Sequence, residues 1–328
     1  MVSYFPARRW TYSNSPRPAV GVLLLCGGLV LFLLPYSLAG YESDQWRSGR
    51  IIAMIVVGVV LLVLFALWER FVAPTPYLPY ELLTSRTVVG ACLLSGTLFV
   101  GYYCWDGYYG SYLQVVHGLS IAEAGYVSNI YNIGSCFWSV IVGVLIRWSG
   151  RFKWLAWCAL PIQVLGGGLM IHFRQPNVNI GYVVMCQIFI AFAGGTLVIC
   201  EQMAVMAVAE HGEVAALLAL LSLSASIGAG IGSSVSGAIW TNTLPSQLLK
   251  LLPDEAKDLY MDIYGDLEIQ LSYEIGSPVR DAIMQAYGVT QQRMCIAGTC
   301  VLALAFVAVA LWKDVNVKTI KQVKGVVL

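Results

Sequence analysis

The chain has 328 residues, of which 58% are hydrophobic and only 11% charged, and its mean hydropathy is +0.73. A soluble domain is usually about 45–50% apolar and about 25% charged, so this composition excludes a water-soluble globular protein and places the chain in a lipid bilayer. A formal net charge of +1 excludes a basic nucleic-acid binder, and no nucleic-acid partner is expected.

A membrane helix needs about 20 mostly apolar residues to cross ~30 Å of hydrocarbon. Eight runs meet that length: 19–39, 51–72, 87–112, 122–147, 154–172, 180–202, 214–241 and 293–312. The expected fold is an all-α integral membrane protein with about eight transmembrane helices. The first run follows Arg8, Arg9 and Arg17 and ends in Ser37-Leu38-Ala39, a sequence similar to a signal cleavage site. Its apolar core is longer than a signal peptide uses, so it reads as a span.

Eight spans put both termini on one side. If that side is the cytosol, it holds twelve of the 19 Lys and Arg residues, against seven outside. Arg47, Arg50, Arg174, Lys250, Lys257, Arg280 and Arg293 are the outer set. Lys and Arg accumulate on the cytosolic side of membrane proteins, so cytosolic termini are expected.

The third run ends in an aromatic series from Tyr102 to Tyr112, with Tyr102, Tyr103, Trp105, Tyr108, Tyr109 and Tyr112 surrounding Asp106. On a continuous helix Tyr102, Asp106 and Tyr109 stand at i, i+4 and i+7 and share a face. Such density exceeds an interfacial aromatic belt, and a carboxylate among phenols suits ligand contact or proton binding. The fourth run carries Asn129, Asn132 and Cys136 on one face, which suits either a cavity wall or hydrogen bonding between helices. Glu201, at the end of the sixth run, is placed at the inner mouth or in interfacial water. The seventh run has a small-residue ladder of Ser224, Gly228, Gly232 and Ser236, which admits a second backbone at close range.

Residues 242–292 form a long acidic stretch expected outside the membrane, with a short capped helix near 278–287 started by Ser277-Pro278. The nine cysteines are odd in number, lack a CxxC and sit in apolar runs, so they read as small hydrophobes. His117, His172 and His211 are too far apart to suggest a metal site. No resident metal or cofactor is expected. An enzyme is not expected either, because no nucleophile–base pair or phosphate-cradling loop is present.

Two further stretches carry a family resemblance. Gly143-Val144-Leu145-Ile146-Arg147-Trp148-Ser149-Gly150-Arg151-Phe152-Lys153 resembles the G-x-L-x-D-R-x-G-R-[KR] loop of the major facilitator superfamily, with Arg147 at the family's Asp and Trp148 at its Arg. The stretches from Tyr112 through Gln114 to Ser120, from Glu201 to Met206 and from Gly276 to Ile283 resemble the fungal siderophore–iron transporters of that superfamily. The resemblance covers most of residues 75–313 and implies proton-coupled import of ferric siderophores, with iron carried only as cargo. It implies a binding cavity formed by Tyr102, Tyr103, Trp105, Asp106, Tyr109, Tyr112, Gln114, Asn129 and Asn132. Asp106 and Glu201 are the proton-coupling candidates. Tyr260, Tyr264, Tyr273, Arg280 and Tyr287 are expected to recognise the cargo on the outer loop, with Arg280 paired to a carboxylate.

By the same resemblance the chain corresponds to two central helices plus the second half of a fourteen-helix transporter. The expected organisation is a cytosolic segment 1–17, two peripheral helices in 18–85, a six-helix half in 86–313 containing the outer loop 242–292, and a cytosolic tail 314–328. The first half would be missing, so the chain alone is expected not to transport, unless a homodimer or a separate amino-terminal half supplies the opposite wall. The expected location is the plasma membrane, with endosomal and vacuolar membranes as alternatives. The rival functions are a drug–proton antiporter of the same superfamily and a membrane fragment or subunit without transport.

Overall fold

A computed structural model of the chain describes residues 17–38, 47–72, 85–209 and 214–319. The amino-terminal segment before Arg17 and the tail beyond Thr319 lie outside the described residues. Seven of the described helices are long and apolar enough to cross a membrane, and Val20–Phe32 is a further, shorter apolar stretch. The protein is a multi-pass integral membrane protein.

Two compact units divide the chain, one containing Met1–Pro35 with Glu42–Tyr77, the other Tyr36–Tyr41 with Leu78–Leu328. In the first, helix α1 (Arg17–Leu38) meets α2 (Gly49–Phe71). A side chain at Gly58 would come within 2.6 Å of the Phe32 backbone nitrogen, so these two helices touch backbone to backbone.

The second unit contains α3 (Arg86–Asp106), α4 (Tyr109–His117), α5 (Ile121–Ser149), α6 (Lys153–Phe173), α7 (Ile180–Met206) and α8 (Val214–Leu251). It continues with the short α9 (Tyr260–Gly265) and α10 (Leu267–Ser272), then α11 (Pro278–Val301) and α12 (Ala303–Ala310). Local chemistry sets these boundaries. The Ser120 hydroxyl accepts from the Glu123 N–H and the Glu123 carboxylate accepts from the Ser120 N–H, a capping box that starts α5. Gly150, at φ +76°, ends α5 in a left-handed cap.

The long helices fall into two triples, α3–α5–α6 and α7–α8–α11. The neighbour pattern is reciprocal between them: α3 packs on α8 as α7 packs on α5, and α11 packs on α3 as α6 packs on α7. An odd number of crossings separates α3 from α7, so the second triple runs inverted relative to the first. A pseudo-twofold relating inverted three-helix repeats produces this arrangement, which is the build of secondary transporters.

Small residues bring the central helices together. A side chain on Gly298 would come within 2.5 Å of the Gly101 carbonyl, and Gly228 faces the Gly96 backbone in the same way. The ladder at Ser224, Gly228, Gly232 and Ser236 therefore turns toward α3. In lipid there is no hydrophobic drive between helices, and close van der Waals contact of this kind replaces it.

The loop after α5 is tied to the end of the last helix. The Lys153 ammonium donates to the carbonyls of Ala310 and Trp312, Lys318 Nζ donates to the Trp148 carbonyl at 2.6 Å, and the Val317 N–H donates to the Gly150 carbonyl at 2.8 Å.

Two boundaries differ from the sequence reading. The acidic stretch is not an independent 51-residue loop: α8 runs on through Pro245 to Leu251, and the connection narrows to Leu252–Ser277. The short helix expected at 278–287 does start at Pro278 with a Ser277 cap, but it continues without a stop to Val301. Gly288 is interior to it. A side chain there would meet Pro176 Cδ at 2.7 Å, so this glycine admits the α6–α7 connection rather than ending a helix.

Candidate functional site

The aromatic series lies at the junction of α3 and α4, and the helix breaks inside it. Gly107 and Tyr108 form a turn, with Tyr108 at φ −115°, and the Tyr108 ring stacks on Trp240 of α8 at 4.0 Å. Tyr102, Asp106 and Tyr109 therefore do not lie along one unbroken helical face. Tyr102 and Asp106 are partly open, whereas Tyr109 and Tyr112 turn into the bundle and are 1% and 0% exposed.

Tyr102 is the hub of the open part. Its ring stacks on Tyr131 of α5 at 4.6 Å and meets Trp105 and Tyr103 edge-on at 5.0 and 5.4 Å. Asp106 stands one turn beyond Tyr102 on α3, within its electrostatic reach. Beneath this group is a cavity of about 20 Å³ lined by Tyr102, Trp105, Gln163 and Thr299 among others. That is room for one water, and Gln163 Oε1 is buried there without a partner.

Asn129 and Asn132 are not brought to this group. Both lie on the exposed face of α5, beside Tyr126, Ile133 and Phe137. Asn129 Nδ2 donates to the Gly125 carbonyl at 2.9 Å, and Asn132 Nδ2 donates to Asn129 Oδ1 at 3.4 Å. The residue of α5 that reaches the aromatic group is Tyr131, between them.

Glu201 is not in interfacial water. Helix α7 continues to Met206, which carries Glu201 more than a turn inside, where it is 3% exposed. Glu201 lies near Ser95 of α3, and among the described residues Oε2 has no hydrogen-bond partner. A carboxylate so placed is costly in hydrocarbon unless it binds a proton or a partner.

The connection between α8 and α11 gathers a second set. A cleft of about 300 Å³ is lined by Gln114, Gly118, Leu119, Leu271, Ser272, Tyr273, Glu274, Ile275 and Arg280. Gln114, Tyr273 and Arg280 were expected from the sequence to touch cargo, and they meet here. Among the described residues Arg280 has no carboxylate partner. It is 2% exposed and donates to the carbonyls of Gln270, Val115 (2.9 Å) and Gln114 (3.5 Å). The Val115 and Gln270 carbonyls sit in the last turns of their helices, where C=O groups run out of intrahelical donors, which suits a guanidinium fork, and the Gln114 carbonyl also accepts from the Gly118 N–H. Tyr287 is buried, with its hydroxyl donating to Gln270 Oε1 at 2.6 Å. Tyr260 and Tyr264 pack partly buried against the same core, and burial raises the Tyr264 phenol above its ordinary pKa.

Sequence reading missed Arg174. Counted as an outer-loop cation, it is 0% exposed. Its guanidinium lies 4.6 Å from the Trp105 ring, 4.2 Å from Tyr109 and 5.7 Å from Tyr112, and donates to Gln291 Oε1 at 2.9 Å. Gln187 of α7 joins this group by donating to the Tyr109 hydroxyl at 2.5 Å. The one signal in the sequence was negative: Phe173-Arg174-Gln175-Pro176-Asn177 offers no carboxylate to pair with the arginine.

Two inverted helical triples around polar and aromatic groups define a fold of the major facilitator type. A solved bacterial homologue of the human lysosomal transporter Spinster, inward-facing and unoccupied, has this fold: the TM-score is 0.50 at 12% identity, covering 88% of this chain and 69% of that one. The family model described as fungal trichothecene efflux pump (TRI12) matches residues 17–259, and the chain belongs to that family, a transporter branch of the major facilitator superfamily rather than an enzyme class.

Among curated relatives, MFS siderochrome iron transporter 1 of Ajellomyces capsulatus is 57% identical over 94% of this chain and 53% of its own length. MFS siderochrome iron transporter D of Aspergillus fumigatus is 53% identical over 94% of this chain and 51% of its own length. Siderophore iron transporter 1 of Schizosaccharomyces pombe is 39% identical over 88% and 48%. The chain spans about half the length of the curated relatives it matches.

Proposed function

We propose that this chain forms one wall of a route for ferric siderophores across a fungal membrane, driven inward by protons. The observation that carries the reading is its 57% and 53% identity to proteins named as siderochrome iron transporters. The site chemistry supports it. A siderophore already fills the coordination sphere of its iron, so the protein needs rings, hydroxyls and amides at the cargo rather than metal ligands. Tyr102, Tyr103, Asp106 and Tyr131 supply such groups in the open part of the bundle, and Gln114 and Tyr273 supply them at the cleft.

Glu201 and Asp106 are the proton carriers in this reading, Glu201 because it is buried without a cation. The opposite wall comes from a second six-helix half, either on a longer chain or from a second copy, and it covers the face of α5 that carries Asn129 and Asn132. The termini face the cytosol. Arg174 and Arg280 being buried removes two cations from the outer side, which strengthens the charge asymmetry. The plasma membrane is the expected location.

Equilibrium binding to the purified chain tests the reading. Ferric siderophore should bind more tightly than the iron-free form, and Asp106→Asn should weaken it. Equal binding of both forms, or none, overturns the proposal. A second reading, export of apolar toxins, is favoured by the name of the matching family model. Saturable binding of a trichothecene that displaces no ferric siderophore would select it.

A further inference from the structure

Arg174 caps the end of α6, and its side chain contacts α3, α4 and α11. Its guanidinium covers Trp105 of α3 and Tyr109 and Tyr112 of α4, and it bonds Gln291 of α11. Gln291 in turn donates Nε2 to the Tyr108 carbonyl at 3.1 Å, across the break between α3 and α4. Through Tyr109 the group extends to Gln187 of α7, which also donates to the Val127 carbonyl of α5 at 3.2 Å. Five of the six helices of the two triples, together with α4, are thus joined through Arg174, Tyr109 and two side-chain amides.

The cation has no charged partner at contact distance. Among the described residues no carboxylate forms an ion pair with it, although Asp106 lies within its electrostatic reach. Its Nε and NH2 groups have no acceptor at hydrogen-bonding geometry. They lie against aromatic faces and beside the Cys295 thiol. Tyr112 Oη, His117 Nε2 and Gln187 Oε1 are likewise buried and unpartnered. Most buried polar groups in a packed core are satisfied, and each orphan costs free energy, so several orphans gathered at one cation are notable. A cluster that holds six helices by a cation over rings, with several bonds left unmade, has the character of an element with a second arrangement.

We propose that Arg174 is a positioning residue that latches this end of the bundle shut, and that releasing its guanidinium from Trp105, Tyr109 and Gln291 opens a water path into the second unit. The latch acts on the protein, not on the cargo, and it holds whether that cargo is a ferric siderophore or another solute. Transport by rocking repeats requires each end of the route to close and reopen in turn. Ring–cation contacts suit that use, since they lack the strict geometry of a bidentate ion pair and can be remade elsewhere on the aromatic series.

Two native cysteines report on the latch and a third serves as the control. Cys186 and Cys295 are 0% and 1% exposed and belong to the core around Arg174, while Cys200 is 0% exposed in the separate core near Phe152. The full chain in lipid nanodiscs is treated with a charged maleimide, which reacts only with thiols that water reaches, and each cysteine is followed by peptide mass spectrometry. Arg174→Gln should label Cys295 and Cys186 about tenfold faster than the native chain, with Cys200 unchanged. Arg174→Lys, which keeps the charge but not the planar fork, should fall between.

If Arg174 variants do not fold, Gln291→Leu removes the single hydrogen-bonded partner and should raise Cys295 labelling about threefold. Unchanged Cys295 labelling in the folded variants overturns the proposal. So does an equal rise at Cys200, which would mean that Arg174 supports the whole fold rather than one end.

Discussion

The Tyr287 hydroxyl donates to Gln270 Oε1 at 2.6 Å, and Gln270 Nε2 donates to the Ile263 carbonyl at the same distance. One amide thus joins α11 to both short helices of the preceding connection. Arg280, two turns earlier on α11, donates to the Gln270 carbonyl and to the end of α4. The acidic connection is therefore anchored by buried polar contacts and does not hang free at the end of the bundle.

Tyr287→Phe should lower stability by about 1–3 kcal/mol, because Gln270 Oε1 is left buried without a donor. Arg280→Ala should cost more, since it strips a donor from carbonyls on two elements. Thermal unfolding of the purified chain in detergent reads both. A Tyr287→Phe variant as stable as the native chain would show that water replaces the bond.

Gly298→Val should prevent correct packing of α11 on α3, because the new side chain would strike the Gly101 carbonyl. The measure is the monodisperse fraction on size exclusion. Gly237 is the matched control: nothing lies within 4 Å of a side chain placed there. Gly237→Ala should leave the fraction unchanged or raise stability by up to ~1 kcal/mol through helix propensity. Similar losses from both substitutions would argue against close packing as the cause.

Arg151 and Asp314 stand 3.7 Å apart with side chains 60% and 52% exposed. Such a pair contributes roughly 0–1 kcal/mol, so Arg151→Ala should be nearly silent in unfolding experiments. Gly150→Ala should not be. Its backbone is left-handed at φ +76°, and a side chain would come within 2.5 Å of Asn316 Oδ1. A loss of about 1 kcal/mol or more is expected from the conformation alone.

Glu201→Gln should leave the fold intact, in contrast to Glu201→Lys, which should not fold because a buried cation replaces a group that can be neutral. The amide carries no charge to bury. In a transport-competent assembly Glu201→Gln should abolish the dependence of ferric-siderophore uptake on a proton gradient. Uptake with an unaltered pH profile would remove Glu201 from the proton path.

The sequence determined the environment, the helices and their close contacts, because each of these depends on residues near one another in the chain. Apolar runs of spanning length fix the spans, Ser277-Pro278 fixes where α11 begins, and the four-residue spacing of Ser224, Gly228, Gly232 and Ser236 fixes which face of α8 admits a partner. Only the tertiary structure decided which polar groups are inside. Arg174 and Arg280 read as loop cations because their partners, Gln291 for one and the carbonyls of Gln114 and Val115 for the other, stand more than a hundred residues away in sequence. The break at Gly107 was equally hidden. Residues 102–109 keep helical spacing on paper, and the stacking of Tyr108 on Trp240, from a helix four crossings later, is a contact that helical periodicity does not encode.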